Sequence, residues 1–456
     1  MIGPARRPLN TSVSSAGSNR NSTPGVSGHR HVIGQAAYGR PFWFSYAANV
    51  SLMMAISVLF RYADFVHVLG GEEFHLGLIV GVGMVGSLLM RLFQAVGIDK
   101  YGSRQVWLGA LAVFAGTCIA HLGIARYDTA TIYVLRILYN TSIAAAFGAG
   151  ITFISGRASV ERMAEVVGTL GTSGFVGMML GTSLGDLICG AGPVERLHMD
   201  RLFTAAALLG SASFLLAMLA TAGAPRPRVR RKPGPLWLLR RYHPGAVLIV
   251  GVAMGAGLSL PGIFVRPFAA QLGIPGIALF FTIYPCTAFA VRMATRRWSR
   301  RYGVRPMILA GVGSLSLGML AFLLVGTAWQ LAAPAVLIGI AHALLFPNVV
   351  ASGSGSFPAR YRGLGTTLVL GMFDIGNLFG APLVGGILKA ATTAGIPAYP
   401  TMFATIAGLL ALIGAAYAVA SRRKPAHRGR GARSFVRQSP PEFVEATPEP
   451  SEASPR

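Results

Sequence analysis

Charged side chains are rare in the long apolar stretches of this 456-residue chain, and most of those that occur there are arginines. A guanidinium group binds a carboxylate or a phosphate through two parallel hydrogen bonds. The sequence therefore predicts a cationic site for an organic anion. The polar and charged residues assigned to this site are Asn49, Arg61, Asp64, Arg136 and Arg266. Two alternatives stay open: Arg61 and Arg266 form gate salt bridges with Asp64 or Asp186, and Arg136 extends to the lipid headgroups.

Asp374, in the segment GMFDIGNLFG, is the acid nearest to the middle of an apolar stretch. A carboxyl group in a low-dielectric environment can take up and release protons near neutral pH unless an arginine keeps it ionised. Asp374 is thus predicted to carry a coupling proton, with His342 as a second candidate. The alternatives are a paired acid that fixes its helix and a core histidine with satisfied hydrogen bonds. Protons are the expected coupling ion, and neither a metal nor an organic cofactor is expected.

The segment from Met84 to Arg104 recurs 201 residues later in the chain. The matched residues are Arg91, Tyr101, Gly102 and Arg104 in the first copy and Arg292, Tyr302, Gly303 and Arg305 in the second. Both copies lie where an apolar stretch ends and a short basic segment begins, so the chain reads as a tandem duplication of a multi-helix membrane half. A doubled membrane bundle is the usual build of a secondary transporter. Arg91 and Arg292 are predicted to brace a gate or to extend to the headgroups.

Apolar residues make up 53% of the chain and charged residues 12%, a composition typical of a membrane protein. A helix needs about 20 apolar residues to cross a hydrocarbon core of about 30 Å. The sequence offers twelve such stretches, which predicts an all-α membrane protein. The predicted spans are 42–68, 75–93, 106–124, 130–153, 166–189, 202–222, 246–268, 277–294, 306–325, 329–350, 365–388 and 401–420.

The net charge of +25 is unevenly distributed between the two sides of these spans. Of the 40 Lys and Arg residues, 31 lie in the leader, the tail and the segments on the same side as the leader. The positive-inside rule therefore predicts that both termini are cytoplasmic, in a bacterial inner membrane. The basic segment near Arg226 to Arg241 is also expected to attract anionic lipid headgroups, and nucleic acid is not an expected partner.

Composition also predicts the domain organisation. The expected parts are a disordered leader at 1–40, a six-helix bundle at 41–222, a basic linker at 223–245, a second bundle at 246–420 and a disordered tail at 421–456. Cys118, Cys189 and Cys286 lie in or beside different spans without metal-ligand spacing, so we expect neither disulfides nor a zinc site.

Glycines line one face of the fifth predicted span, at positions 174, 177, 181 and 185. Gly376 and Gly380 repeat part of this pattern in the eleventh span. Small residues at four-residue spacing allow helix backbones to approach closely. Gly177, Gly181, Gly185, Gly376 and Gly380 are therefore predicted to be helix-packing positions.

The segment after the second span resembles the Gly-x-x-x-Asp-Arg/Lys-x-Gly-x-Arg motif of the major facilitator superfamily. Asp99, Lys100, Gly102 and Arg104 occupy its later positions, and Ala95 replaces its first glycine. The resemblance implies that these residues, with Arg91 and Arg292, form a cytoplasmic gate whose acid engages helix eleven. In the second copy Arg300 stands where Asp99 does, so the acid is missing there.

The resemblance also implies two pseudo-symmetric six-helix bundles that alternate access to a central cavity. In this family helices one, four, seven and ten line the cavity, and Arg136 is similar to the intramembrane arginine of proton-antiporting exporters, which makes it a coupling residue. The fifth span resembles the exporter motif GxxxGPxxGG, but Thr182 replaces its proline and Asp186 its last glycine. Sugar and drug efflux permeases of the proton antiporter type are the relatives that this pattern indicates.

No Ser-His-Asp cluster, HExxH run or phosphate-binding Gly-Lys segment occurs in the sequence, so an enzyme is not expected. We predict a monomeric, proton-coupled transporter that exports a small solute, with an organic anion as the first candidate. Uptake of an organic anion and a nontransporting sensor of the same fold are the alternatives.

Overall fold

The computed structural model describes residues 38–157, 162–223, 242, 244–295, 298–358 and 362–422, without the side chains of residues 94–97, 99, 163–164, 299–300 and 363–364. Twelve long helices follow one another in this part of the chain, and short helical turns make up the only other regular structure in it. Their bounds are α1 Arg40–Val68, α2 Glu73–Tyr101, α3 Ser103–His121, α4 Ala130–Ser155, α5 Met163–Cys189, α6 Arg196–Ala220, α7 Val247–Gln271, α8 Ala278–Thr295, α9 Val304–Ala321, α10 Ala332–Gly355, α11 Arg362–Thr393 and α12 Ala398–Arg422. The predicted all-α architecture of two six-helix bundles is confirmed. Nearly all of the predicted leader and tail and most of the linker lie outside the described residues.

Eleven helices of the described chain are long and apolar enough to cross a membrane. Helix α5 is not in that set, although its 27 residues would span a bilayer by length. Its sequence is rich in glycine and carries Glu165 and Asp186 near its two ends. Helix α5 packs along α1 within its own half and against α8 of the other half, so it lies at the interface of the two halves.

Because the twelve helices alternate in direction, α1 begins and α12 ends on the same face of the bundle. We call this side the terminal face and the opposite side the distal face. Helices α1 to α6 form the first half and α7 to α12 the second. The halves meet where α2 packs along α11 and α5 along α8, two contacts related by the internal repeat.

Two glycines at the terminal face explain the repeated Tyr-Gly-x-Arg motif. Gly102 separates α2 from α3 with φ of +88°, and Gly303 precedes α9 with φ of +87°. These values lie in a region that residues with a Cβ rarely adopt, so glycine allows the sharp turn at both places. Helix α2 continues to Tyr101, well beyond the predicted end of its span at Phe93. The short basic segment predicted after the second span therefore belongs to α2 as far as Tyr101 and to α3 from Ser103.

Two short sequence patterns begin helices at the distal face. In α2 the backbone N–H of Glu72 donates to His75 Nδ1 at 3.1 Å, and in α6 the N–H of Glu195 donates to His198 Nδ1 at the same distance. The glutamate side chains accept the reciprocal hydrogen bonds from the first helical turn. Such capping boxes satisfy N–H groups that a helix start leaves unpaired.

Candidate functional site

An ion cluster joins the two halves close to the distal face. Asp64, near the end of α1, accepts hydrogen bonds from Arg266 Nε of α7 at 2.8 and 3.1 Å. The same carboxylate accepts from Arg61 Nε at 2.9 Å. All three side chains are buried, and Arg61 is only 2% exposed. The short turn at Leu59–Arg61, which interrupts α1, carries Arg61 at its end.

Asp186 extends this cluster from the distal end of α5. It accepts from Arg61 Nη1 at 3.2 Å and from the backbone N–H groups of Ile277 and Ala278, both at 2.7 Å. Those N–H groups belong to the start of α8, where an acid both fills the unpaired donors and faces the positive end of the helix dipole. Asp186 thus links three helices, two from the first half and one from the second.

Backbone carbonyls satisfy further donors of the two guanidinium groups. Arg266 Nη1 donates to the carbonyl oxygens of Ile274 and Pro275 at 3.3 and 3.1 Å, and Arg61 Nη2 donates to that of Pro275 at 3.4 Å. Two arginines and two aspartates balance each other's charge, which a buried ion cluster requires. We call Arg61, Asp64, Asp186 and Arg266 the distal cluster.

Close packing of α2 on α11 is a second contact between the two halves near the distal face. A Cβ added at Gly81 would lie 2.5 Å from Pro382 Cγ, and one added at Gly385 would lie 2.9 Å from the carbonyl oxygen of Glu73. Real Cβ atoms do not approach other atoms this closely, so only glycine allows the two helices to cross here. The bundle is therefore closed between its halves near the distal face.

Asp374 lies further from the distal face, in the interface of α2 and α11. Arg91 donates to both carboxylate oxygens, through Nε to Oδ2 and through Nη2 to Oδ1 at 3.2 Å. Ser87 Oγ, one helical turn away on α2, donates to Oδ2 at 2.6 Å. Asp374 is 4% exposed, so the pair is desolvated as well as bidentate. Arg91 and Asp374 come from opposite halves, so their hydrogen bonds depend on the relative position of the two halves.

The equivalent place in the α5 and α8 interface is occupied differently. Arg292 of α8 matches Arg91 in the internal repeat, but its guanidinium carbon lies 5.7 Å from the centre of the Phe175 ring of α5. Its buried Nε has no hydrogen-bond partner among the described residues. His342 of α10 meets the other side of this region, with its ring centre 5.8 Å from that of Phe175. Tyr284 Oη lies 2.5 Å from His342 Nδ1.

Arg136 lies in the first half, away from the ion pairs of the distal cluster. Its guanidinium carbon lies 4.3 Å from the ring centre of Tyr62 and 4.7 Å from that of Tyr139. Both its Nε and the hydroxyl of Tyr62 are buried without a hydrogen-bond partner in the described part of the chain. Cation–π contacts stabilise this charge in place of a carboxylate. The structure thus brings Arg61 and Arg266 together and places Arg136 between aromatic rings.

The other residues assigned from sequence occupy helix contacts or the terminal face. Asn49 of α1 donates to Ser173 Oγ of α5 at 2.5 Å. The assigned glycines lie where α5 crosses α1 and where α11 crosses α7, with Cβ contacts to neighbouring backbone of 3.2 Å or less at Gly177, Gly181, Gly185, Gly376 and Gly380. Lys100 lies over the ring of Tyr101, and Arg104 is exposed at the start of α3. The side chain of Asp99 lies outside the described residues.

Sequence reasoning missed three contributors: Ser87, Phe175 and Tyr284. One signal for Phe175 is present in the sequence. Phe175 precedes Gly177 by two residues, as Asp374 precedes Gly376, so aligning the two glycine patterns places Phe175 opposite Arg292. No comparable signal marks Ser87 or Tyr284, since hydroxyl groups are common in membrane helices.

Comparison with known proteins agrees with this architecture. The family model described as Major Facilitator Superfamily matches residues 42–328 and 246–448. The nucleoside transporter NupG superposes with a TM-score of 0.68 at 14% identity, over 84% of this chain and 100% of that one. A bacterial homolog of the human lysosomal transporter Spinster, inward-facing and unoccupied, gives 0.65 at 14% identity, over 85% and 98% of the two chains. A D-xylose-proton symporter gives 0.62 at 16% identity, over 82% and 96%. No curated protein sequence matches the chain.

Proposed function

The chain belongs to the Major Facilitator Superfamily and is a multi-pass membrane transporter, and we propose that it exports an organic anion in exchange for protons. The observation that carries this proposal is the buried contact of Asp374 with Arg91 and Ser87 across the two halves. A carboxyl group at an interface that opens and closes can bind an arginine in one conformation and a proton in the other. Its protonation therefore depends on the position of the halves.

The distal cluster defines which conformation the structure represents. Because Asp64 bonds to Arg266 of the other half, and Asp186 to the start of α8, the solute path is closed at the distal face. The positive-inside rule assigns the terminal face to the cytoplasm, which makes this the conformation that serves the cytoplasmic side. We propose a bacterial inner membrane as the location. Opening the distal face requires the separation of Arg266 from Asp64.

The pair of Arg91 and Asp374 gives the proton a direction. In the distal-closed conformation Arg91 occupies both carboxylate oxygens, so a proton carried by Asp374 is displaced toward the cytoplasm. When the distal face opens and this pair separates, the carboxylate can take a proton from outside. Proton entry is thus coupled to the return of the halves.

The same pair favours exchange over simple uptake. Separating a buried ion pair without compensation costs about 3 to 5 kcal/mol. An empty carrier that leaves the distal-closed conformation would meet this cost, whereas a bound solute can offset it through its own contacts with both halves. The solute therefore loads on the cytoplasmic side and leaves at the distal face, which is efflux.

A proton-flux assay tests this proposal. The protein is reconstituted into liposomes that contain the pH dye pyranine and benzenesulfonate, gluconate or inorganic phosphate, with the membrane potential clamped by potassium and valinomycin. For at least one anion we expect internal acidification in an inward proton gradient that exceeds that of vesicles loaded with glucose. Asp374→Asn should abolish this difference, whereas Asp200→Asn, which changes a half-exposed acid paired with Arg196, should retain it.

Three results would contradict the proposal. Equal acidification by Asp374→Asn and the unchanged protein would remove Asp374 from coupling. Acidification that occurs only when the anion is supplied outside would assign uptake with protons instead of efflux. Failure of all three anions to move protons would contradict anion exchange itself.

A further inference from the structure

We infer that Arg292 and Phe175 form the recognition site for the substrate, and that it takes an organic anion with an apolar body. This inference deepens the proposed function and rests on it for the identity of the site as a transport site. The site lies in the interface of α5 and α8, where residues from both halves meet. A ligand there contacts both halves at once.

The first argument is the missing partner of Arg292. Its counterpart Arg91 has two hydrogen bonds to a buried aspartate, whereas Arg292 has no ion pair and no hydrogen bond among the described residues. The Nε of Arg292 is buried, and a buried guanidinium donor is unfavourable unless an acceptor pairs with it. One arginine of the repeat therefore pairs with a carboxylate of the protein, and the other has no anionic partner among the described residues.

The second argument is the residue that replaces the acid. Phe175 stands where the internal repeat has Asp374, and it presents a ring to the Arg292 guanidinium at 5.7 Å. Phe175 also meets the edge of His342 at 5.8 Å, so the aromatic surface extends to α10. An aromatic surface beside the Arg292 guanidinium fits a ligand with a carboxylate, sulfonate or phosphate on an apolar body. The anionic group would bind the N–H donors of the guanidinium, and the apolar body would pack on the aromatic rings.

The third argument is a native reporter at the same interface. Cys286, also on α8, is exposed, and its Sγ lies 3.8 Å from Met179 Sδ of α5. Met179 follows Phe175 by one helical turn, so Cys286 and Arg292 contact neighbouring turns of α5. Cys118 and Cys189 are buried. Alkylation of the unmodified protein by N-ethylmaleimide therefore reports on the interface of α5 and α8.

The test compares each anion with an uncharged analogue of the same shape. The purified protein is unfolded by heat with benzenesulfonate or benzenesulfonamide, and with gluconate or glucose. At ten times its dissociation constant, benzenesulfonate should raise the apparent melting temperature by about 1.5 °C and slow the alkylation of Cys286. Benzenesulfonamide should have neither effect, and gluconate, which has no apolar body, should act more weakly.

Four variants separate recognition from folding and from coupling. Arg292→Gln should lose the response to benzenesulfonate, and Arg292→Lys should keep a fraction of it because an ammonium group cannot bind two oxygens in parallel. Phe175→Glu should raise the melting temperature without ligand and remove the response, since its carboxylate takes the place of the anion. Arg126→Gln, which changes an exposed arginine between α3 and α4, should respond like the unchanged protein.

Three results would overturn the inference. They are an unchanged response in Arg292→Gln, a full response in Phe175→Glu, and the absence of any anion-selective response in the unchanged protein. If Arg292→Gln does not fold, Phe175→Glu and Arg292→Lys decide. Recognition is measured by thermal unfolding and alkylation in Arg292→Gln, and proton coupling by pyranine fluorescence in Asp374→Asn, so failure of the inference and failure of the proposed function are measured separately.

Discussion

Arg91 of α2 donates hydrogen bonds to both carboxylate oxygens of Asp374 on α11, and so connects the two halves of the transporter through a buried ion pair. The pair lies at a pseudo-symmetric position to Arg292 and Phe175, where no acid from the described part of the chain is present. The internal repeat has thus given one interface a fixed charge partner and the other an arginine facing an aromatic ring. We assign the proton to the first interface and the solute to the second.

Substitutions of Arg91 and Asp374 should have non-additive effects on stability, because the two side chains form one ion pair. Arg91→Gln leaves a buried carboxylate unpaired and should destabilise the protein by about 3 to 5 kcal/mol. Asp374→Asn should cost less, because Ser87 can still donate to the amide oxygen. The double variant should be more stable than Arg91→Gln alone, as measured by thermal unfolding. Additive effects of the two changes would contradict the coupling of the pair.

The distal cluster should hold the distal face closed. Asp64→Asn removes the charge that Arg61 and Arg266 share, so the distal-open conformation should become more populated. The reporter is Phe60→Cys in a variant whose three native cysteines are replaced by serine, because Phe60 packs on Phe281 of the other half at 4.8 Å. Labelling from outside by an impermeant thiosulfonate should become several-fold faster.

Asp128 provides the matched control for this experiment. It forms an exposed ion pair with Arg126 in the segment between α3 and α4, and the hydrogen bond from Arg126 lowers the pKa of its carboxyl. Asp128 is therefore ionised under the assay conditions, yet it contacts neither half's gate residues. Asp128→Asn should leave the labelling rate unchanged. Equal rates for Asp64→Asn and Asp128→Asn would remove the gate role of the distal cluster.

Asp186 should act both as a gate residue and as the cap of α8. Asp186→Ala loses the bonds to the N–H groups of Ile277 and Ala278, and such caps contribute about 1 kcal/mol. Both N–H groups donate to the same oxygen of Asp186, so the amide oxygen of Asp186→Asn can still accept both bonds, but Asn cannot form an ion pair with Arg61. In thermal unfolding we expect the order of stability to be unchanged protein, then Asn, then Ala. A melting temperature of the Ala variant equal to that of the unchanged protein would contradict the capping role.

Two glycines of α11 should respond in opposite ways to the same substitution. A methyl group added at Gly376 would overlap the carbonyl of Val252 on α7, whereas one added at Gly371 meets no atom within 4 Å. Gly376→Ala should therefore force α11 away from α7 and lower the melting temperature by several degrees. Gly371→Ala should be neutral or stabilising, since alanine favours a helix over glycine by about 1 kcal/mol. Equal effects of the two changes would show that α7 and α11 do not pack in this way.

Much of the fold follows from the sequence because the physical constraints on a membrane span are simple. Apolar length specifies the helices, and the recurrence of Arg91, Gly102 and Arg104 as Arg292, Gly303 and Arg305 indicates two related halves. The end of α2 was less predictable, because a helix that continues into water needs no long apolar stretch.

The candidate site was less predictable, because partners in a membrane bundle come from distant parts of the chain. The sequence leaves Asp64 and Asp186 open as salt-bridge partners of Arg61 and Arg266. That both acids join one cluster with these arginines depends on how α1, α5, α7 and α8 meet. Arg292 was assigned to a gate from its match to Arg91. Only the structure gives its neighbour as Phe175 and its lack of an acid among the described residues.

The central claim is that the charge of Asp374 controls the position of the two halves, and distal labelling of the Phe60→Cys reporter tests it without a known substrate. Arg91 is the charged side chain that bonds to Asp374 among the described residues, so loss of the carboxylate charge removes the ion pair and destabilises the distal-closed conformation. Asp374→Asn has no charge at this position and stands in for the protonated acid. At one fixed pH, where the intrinsic reactivity of the thiol is the same in both proteins, we expect the reporter with Asp374→Asn to be labelled several-fold faster than the reporter alone. Equal labelling rates with and without Asp374→Asn would contradict the account.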